Sequence, residues 1–243
     1  DLGLDGPLAV NTTGLDAGLL LTITDSSSGS DVVYARILLK GLSDADADSI
    51  VGPDIFGTND DDDLSANTTA NTIIARDGDD TIAGGILTDL IEGGDGDDVI
   101  TGGDGGTSLQ GGNGNDTIFG GEGDDDILGN PGDDMIDGGG GDDTIDGMGG
   151  ADEADGGDGN DLLQGGFGDD VMTGGAGADV FHIIPGNGAD TITDFTAGED
   201  LIDLSALGIT DLTQLNVTQS GADTVIDFGG GNSLTLTGVE ASG

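Results

Sequence analysis

Aspartates at a fixed spacing are the residues of this chain best suited to chemistry. Between residues 62 and 179, one place in every nine is aspartate in twelve of fourteen units, and the exceptions are Asn71 and Thr107. Carboxylates in such number can bind divalent cations, and a glycosidase needs only two of them. Because they recur periodically, a structural cation-binding role is favoured. The twelve aspartates are Asp62, Asp80, Asp89, Asp98, Asp116, Asp125, Asp134, Asp143, Asp152, Asp161, Asp170 and Asp179.

An apolar residue stands two places after each of these positions, so the chain is a tandem repeat of nine. No residue is inserted or lost over the fourteen units, and the clearest copies are 93–101, 111–119 and 156–164. The apolar series is Leu64, Ile73, Ile82, Ile91, Ile100, Leu109, Ile118, Ile127, Ile136, Ile145, Ala154, Leu163, Met172 and Phe181.

The composition indicates that folding depends on bound cations. The chain has 50 acidic residues, three basic residues and 52 glycines, with a formal charge of −47. That much like charge opposes compaction and repels nucleic acid. With no cysteine and one histidine, the available ligands are oxygen atoms, which suit Ca²⁺ better than zinc or copper.

Each unit contains a turn and a strand. Glycine and aspartate fill the first six places and favour tight turns, whereas the last three places have one branched side chain between two outward neighbours. Two units then form a coil of eighteen residues, and stacked coils form two facing parallel sheets. Neighbouring strands within each sheet are about 4.8 Å apart. The core is too thin to offset the ordering entropy, so cation binding must supply much of the folding free energy.

A cation between stacked turns is expected to contact aspartates eighteen residues apart, together with backbone carbonyl groups. One edge has an uninterrupted row from Asp62 to Asp170, and the other has clean pairs only from Asp125 onward. We therefore expect about nine or more calcium ions, with weaker sites in 66–110, where Asn71 and Thr107 are poorer ligands.

The repeated GGxGxDxUx pattern, where U is apolar, resembles the RTX (repeats in toxin) family of calcium-binding nonapeptide repeats. The resemblance covers about 57–182, and 178–208 is similar to the segment that ends such arrays. It implies an all-β fold, a right-handed parallel β-roll, with type I secretion from bacteria and folding in extracellular calcium. It also implies that carbonyl ligands come from the early glycines, namely Gly94, Gly96, Gly112, Gly114, Gly121, Gly123, Gly132, Gly139, Gly141, Gly157, Gly159, Gly166, Gly168, Gly175 and Gly177.

The flanking segments lack the repeat. Residues 1–56 contain two predicted strands, 19–23 and 31–41, and form an N-terminal β cap or the end of a preceding domain. Residues 183–243 alternate in hydropathy and are expected to cap the roll of 57–182. Asp190 and Ile192 restore the repeat after a two-residue slip, which predicts one further turn with Asp190 as a ligand, while Phe181 and Phe195 plug the end.

Other motifs give weaker signals. Aspartates at 44–48 begin like an EF-hand loop, but Ile55 stands where the bidentate glutamate belongs, which favours an acidic linker. His182 has no nucleophile at an interpretable spacing, so it is expected on the surface. The sequons at Asn11, Asn67 and Asn216 carry no meaning in a bacterial protein. No apolar run is long enough to span a membrane, and no signal peptide is visible at Asp1, which predicts a processed product or fragment.

Neither H-E-x-x-H nor G-x-S-x-G occurs in the sequence. The expected function is therefore non-catalytic: a secreted calcium-binding β-roll that is a structural or assembly component of the cell surface, extracellular matrix or a filament. Self-association or a surface partner is expected with it. The alternative is the folding and export module of a type I secreted protease, lipase or epimerase whose catalytic domain lies upstream.

Overall fold

The computed structural model describes residues 20–25, 32–38, 54–66, 72–87, 89–209 and 212–241. The chain divides into two units, Asp1–Gly52 and Pro53–Gly243. In the first unit, β1 (Leu20–Asp25) and β2 (Val32–Leu38) pair antiparallel, which confirms the two strands predicted there.

The second unit contains two large sheets whose strands alternate along the chain. The nine-stranded sheet consists of β3 (Asp54–Phe56), β5 (Thr72–Asp77), β7 (Leu90–Asp95), β9 (Ser108–Asn113), β11 (Asp126–Pro131), β13 (Thr144–Gly149), β15 (Leu162–Gln164), β17 (Val180–His182) and β19 (Leu201–Asp203). The eleven-stranded sheet consists of β4 (Asp63–Ser65), β6 (Thr81–Ala83), β8 (Val99–Gly103), β10 (Thr117–Glu122), β12 (Met135–Gly140), β14 (Glu153–Asp158), β16 (Val171–Ala176), β18 (Ala189–Ile192), β20 (Asn216–Ser220), β21 (Asp223–Gly229) and β22 (Asn232–Leu236).

The register within each sheet follows the repeat. In β10, Ile118 lies beside Ile100 of β8 and Ile136 of β12, and all three strands are parallel. Neighbouring strands of one sheet are therefore eighteen residues apart in sequence. This arrangement confirms the parallel β-roll in which successive nonapeptides alternate between two sheets.

The core lies between the sheets and consists of the apolar series. From Ile73 to Phe181, each member of that series is nearly or completely buried. The residues next to them on the strands point outward, so Val99 and Met135 are 42% and 51% exposed. One inward side chain per nonapeptide makes this a narrow core, as the sequence predicts.

Most strands are longer than the three residues that the sequence predicts. β10, for example, continues from Thr117 through Gly120 and Gly121 to Glu122. The early glycines of the next unit pair with the glycines of the neighbouring coil, as Gly121 does with Gly139. The part of the turn that remains outside the strands is therefore only a few residues long.

The roll ends with two irregular coils. β18 pairs parallel with β16 at a spacing of twenty residues, which confirms the predicted slip, since Ile192 lies beside Met172. β19 pairs with β17, and 3-10 turns follow at Ser205–Leu207 and Leu212–Gln214. β22 adds parallel to β18, and β21 and β20 continue the sheet antiparallel. Phe181 is buried, and its ring lies 6.4 Å from that of Phe195.

None of the helical segments among the described residues has the length and apolar character needed to cross a membrane.

Candidate metal centre

Each nonapeptide turn places its aspartate inside the roll, between two coils. The Asp116 side chain is buried, and its Oδ1 accepts a hydrogen bond of 2.8 Å from the backbone N–H of Asp98, eighteen residues earlier. The N–H of Asp116 in turn donates to Oδ1 of Asp134 at 2.8 Å. The same bond recurs along one edge from Asp62 to Asp170 and along the other from Thr107 to Asp179.

The second oxygen of most of these carboxylates is buried without a hydrogen-bond partner. A buried acceptor without a partner costs about 1–3 kcal/mol, and a charged one costs more. Such a row is unstable unless something positive contacts it. The nine partnerless oxygens are Oδ2 of Asp80, Asp98, Asp116, Asp125, Asp134, Asp143, Asp152, Asp161 and Asp170.

These oxygens face a space that contains further oxygen atoms. A Cβ atom placed on Gly111 would lie 2.2 Å from Oδ2 of Asp116 and 2.8 Å from the carbonyl oxygen of Gly129, in the next coil of that edge. Carboxylate and carbonyl oxygens together suit Ca²⁺. Three or more His, Cys, Asp or Glu side chains do not converge anywhere in the described part of the chain, so a calcium ion here would need further oxygen ligands, which the carbonyl groups can supply.

The fifteen glycines predicted to carry the carbonyl ligands all have positive φ angles. Gly112 shows why glycine is needed: a Cβ there would lie 1.9 Å from the carbonyl oxygen of Gly94. The carbonyl of one coil therefore points directly at the backbone of the next. Arg76, Asn130 and Met148 stand at the second place of their units instead of glycine, and they adopt positive φ angles of 95°, 75° and 74°.

Burial raises the pKa values of the inward carboxyl groups, and neighbouring aspartates add to the effect in most cases. The pKa rises from 3.8 to about 7 for Asp116 and Asp152. It rises to about 6 for Asp98, Asp125, Asp134, Asp143 and Asp161. For all of these groups desolvation is the largest cause. A bound divalent cation would favour the ionised form instead.

Asp62, Asp89 and Thr107 differ structurally from the regular members, although only Asp89 and Thr107 lie in the segment expected to hold weaker sites, 66–110. Oδ2 of Asp62 accepts from the backbone N–H of Thr58 at 2.6 Å, and Oδ2 of Asp89 accepts from that of Gly85 at 2.7 Å. The hydroxyl of Thr107 donates to the carbonyl of Gly105 at 2.6 Å. Asn71 lies outside the described residues. The order of affinities along the roll stays a prediction.

The structure also shows two positions, missed by the repeat analysis, that share features of the aspartate rows. Asp200 continues the second row, because its Oδ1 accepts from the N–H of Asp179 at 3.1 Å across a spacing of 21 residues. The available signal was the sequence Asp200-Leu201-Ile202, which repeats the D-x-U pattern. Asn187 is a second case, since its side chain is buried beside Asp190 and its Oδ1 has no hydrogen-bond partner.

A further ladder uses the exposed residue just before each buried aspartate. Oδ1 of Asp97 accepts from the N–H of Asn115, and Oδ1 of Asn115 accepts from that of Asp133, each at 2.8 Å. These bonds connect the same coils as the buried row but point in the opposite direction along the roll. Two opposed sets of hydrogen bonds therefore hold successive turns in register.

The remaining candidates that the structure describes form no second centre. His182 is partly exposed, and its Nδ1 lies 3.5 Å from Oδ2 of Asp203. Asn216 lies in the exposed strand β20. The aspartates at 44–48, as well as Asn11 and Asn67, fall outside the described residues.

A comparison with models of protein families agrees with this geometry. A family model described as the RTX calcium-binding nonapeptide repeat matches residues 56–91, 83–106, 101–136, 119–154, 128–161 and 155–182, which together span more than half of the chain. A comparison with curated protein sequences gives no match.

Two solved structures are similar in part. One is a solution structure of a subunit of a mannuronan C5-epimerase from Azotobacter vinelandii, 30% identical over 52% of this chain and 72% of that one, with a TM-score of 0.34. The other is an extracellular lipase from Serratia marcescens, 20% identical over 79% of this chain, with a TM-score of 0.32. The chain spans only 39% of the length of the lipase.

Proposed function

Because this chain belongs to the RTX calcium-binding nonapeptide-repeat family, we propose that it is a secreted, non-catalytic protein that folds when it binds calcium outside the cell. In this proposal the folded roll is itself the product, a structural or assembly component of the cell surface or extracellular matrix. About nine ions or more would bind per chain, one in each regular gap between coils.

The nine buried carboxylate oxygens without partners carry the proposal of calcium-dependent folding. In low calcium, each of them opposes the folded state, and the charge of −47 adds to that opposition. Bound calcium would supply positive charge at these oxygens. The aspartates hold the turns in register through Oδ1 and would use Oδ2 to bind the ion, so binding and coil stacking are coupled.

Circular dichroism in chelator and then in excess calcium tests this step. We expect a largely unfolded chain in chelator and a cooperative gain of β structure on adding calcium. Metal analysis must first show that the protein in chelator is free of calcium. If that protein gives the same signal as the protein in excess calcium, calcium-dependent folding is overturned.

The end of the eleven-stranded sheet supports an assembly role. The two large sheets have four terminal strands, and three of them contain an aspartate, namely Asp54 in β3, Asp63 in β4 and Asp203 in β19. β20 has no charged residue in Asn216–Ser220, and its residues are all exposed. Proteins usually protect exposed strand edges with charges, so an uncharged edge favours pairing with another strand.

The hairpin geometry identifies the backbone groups that face outward. Ser220 pairs with Asp223 across a turn that has Gly221 at φ 70°. The N–H and C=O groups of Ser220, and of every second residue before it in β20, therefore point toward β21. Those of Val217 and Gln219 then point away from the sheet. Antiparallel pairing with β20 of a second copy would satisfy these groups symmetrically and keep most carboxylates of the two copies apart.

Substitutions at Val217 test this pairing. Val217→Pro removes one outward N–H, and Val217→Asp adds the charge that the other sheet ends have. Val171→Asp is the matched control, because Val171 is also an exposed valine but lies on β16 inside the same sheet. By sedimentation velocity in calcium, we expect association of the wild type and the control, and monomers for both Val217 variants. Association that is unchanged in the Val217 variants would exclude this edge.

Enzymatic activity would contradict the non-catalytic part of the proposal. The calcium-loaded chain should not turn over polysaccharide, ester or peptide substrates. Turnover of one of these that a single substitution abolishes would show that the chain is an enzyme.

A further inference from the structure

The last gap of the first edge differs from all earlier ones. In the regular gaps the aspartates are eighteen residues apart, but Asp170 and Asp190 are twenty apart, and the N–H of Asp170 donates to Oδ1 of Asp190 at 3.2 Å. The two additional residues belong to the segment between β17 and β18, which includes Asn187. The pairing of Met172 with Ile192 shows that the coil returns to register after this segment.

Asn187 occupies the third place of this turn, but its side chain points inward. Its backbone carbonyl accepts from the N–H of Gly168 at 3.0 Å, the same bond that Pro131 and Phe167 make with Gly114 and Gly150. The side chains of Pro131 and Phe167 are exposed, whereas that of Asn187 is 1% exposed. A polar side chain has therefore been buried at a place where the other turns of this edge do not bury one.

The amide of Asn187 is only half satisfied. Its Nδ2 donates to Oδ2 of Asp190, but its Oδ1 is buried without a partner. It is the only group other than an aspartate with this property among the described side chains. Oδ2 of Asp170, on the other side of the gap, is also buried without a partner. Each of these oxygens would be costly to bury unless it binds a positive group.

The row of aspartates ends at this gap. Leu234 of β22 lies beside Asp190, where the next aspartate would stand, and it is completely buried. The N–H of Gly188 donates to the side-chain Oδ1 of Asn232 at 3.2 Å, where a regular coil would offer a backbone carbonyl. The coil that follows is therefore not a nonapeptide turn, and the oxygens that such a turn offers must come from within the gap.

We propose that Asn187 is a calcium ligand in a terminal site formed with Asp170 and Asp190. The side-chain amide oxygen contributes a ligand in the one turn whose spacing departs from nine, and amide oxygens are ordinary ligands of Ca²⁺. This inference rests on calcium binding by the roll and adds to it an irregular site with a side-chain ligand.

Calcium stoichiometry measured by equilibrium dialysis tests the site. We expect Asn187→Ala to lose one ion per chain or to weaken one site by about tenfold or more, as changes around metal ligands do. Asn187→Asp keeps an oxygen at the same position and should retain the ion. Asn113→Ala is the matched control, because Asn113 also holds the third place on this edge but is exposed, and it should change nothing.

The outcomes separate this inference from calcium binding in general. A wild-type chain that binds no calcium would refute the proposed function as a whole. Full stoichiometry and affinity in Asn187→Ala would refute the terminal site alone. Loss of one ion in Asn187→Asp but not in Asn187→Ala would show that the amide acts only as a donor to Asp190. If Asn187→Ala fails to fold, a crystal of the wild type in calcium decides, since Oδ1 should lie about 2.3–2.6 Å from an ion.

Discussion

At the scale of single residues, the two carboxylate oxygens of a repeat aspartate have separate roles. Oδ1 of Asp116 aligns the neighbouring turn, and its Oδ2 is available to calcium. Thr107 occupies the equivalent place on the opposite edge, but its hydroxyl is already bonded to Gly105. We therefore expect the inward place to hold a strong ligand in one unit and a weak one in another.

We therefore predict that Asp116→Ala raises the calcium midpoint of folding by about tenfold or more, whereas Thr107→Ala changes it little. Asp126→Ala is a further control, since Asp126 is exposed and adjoins the buried Asp125. Calcium titrations followed by circular dichroism measure all three. Equal shifts for Asp116→Ala and Asp126→Ala would contradict the division between inward and outward carboxylates.

The second place of the unit allows a test of backbone strain. Met148 has a φ angle of 74°, a conformation that costs a larger residue about 1–3 kcal/mol. Met148→Gly should raise the free energy of unfolding in calcium by about 1 kcal/mol, because the strain removed exceeds the added entropy of the unfolded glycine. Met135→Gly, at another exposed methionine within a strand, should lower it. Denaturant unfolding measures both, and destabilisation by Met148→Gly would contradict strain at this place.

At the scale of strands and turns, the nine-residue period was sufficient to predict the roll. It placed Ile118 between Ile100 and Ile136 and placed the aspartates eighteen residues apart, because an uninterrupted period determines which residues stack. The coil of Asp200 was missed, since insertions shift the period and leave a single D-x-U match without support. The exposed ladder and the inward turn of Asn187 depend on local backbone geometry, which a period does not contain.

The row of buried carboxyl groups predicts how folding depends on pH. Their folded pKa values, about 6 to 7 for Asp98, Asp116 and Asp152, lie above the ordinary 3.8. Between about pH 4 and 7 the folded chain thus holds more protons than the unfolded chain, so without calcium its stability falls as pH rises. In calcium-free buffer, lowering the pH from about 7.5 to 5.5 should increase the β signal.

In calcium the same groups predict competition between protons and the ion. At a fixed, subsaturating calcium concentration, the folded chain should therefore bind fewer ions at pH 5.5 than at pH 7.5. Equilibrium dialysis at both pH values measures the ions bound, and circular dichroism measures the trend without calcium. Calcium binding independent of pH would mean that the buried aspartates are not the ligands.

At the scale of the whole molecule, the negative charge opposes folding, whereas the buried apolar side chains favour it. The repeats supply the negative charge and a narrow row of aliphatic residues, whereas the C-terminal segment adds apolar cover. Leu234 and Leu236 of β22 are buried in the same core as Ile192 and Phe181. Relative to the number of carboxylates that they bury, the last coils therefore bury the most apolar side chains.

This distribution predicts that residues 194–243 are needed to cap the roll. Their removal would expose backbone groups that now bond with β22, such as the carbonyl of Gly188 just before β18, which accepts from Ser233 at 2.8 Å. It would also remove Phe195 from Phe181. Open strand edges and an uncovered core promote association.

The truncated chain should need more calcium to fold and should associate end to end, as a calcium titration with light scattering would show. A truncated chain that stayed monomeric with an unchanged midpoint would show that the C-terminal segment is an independent module.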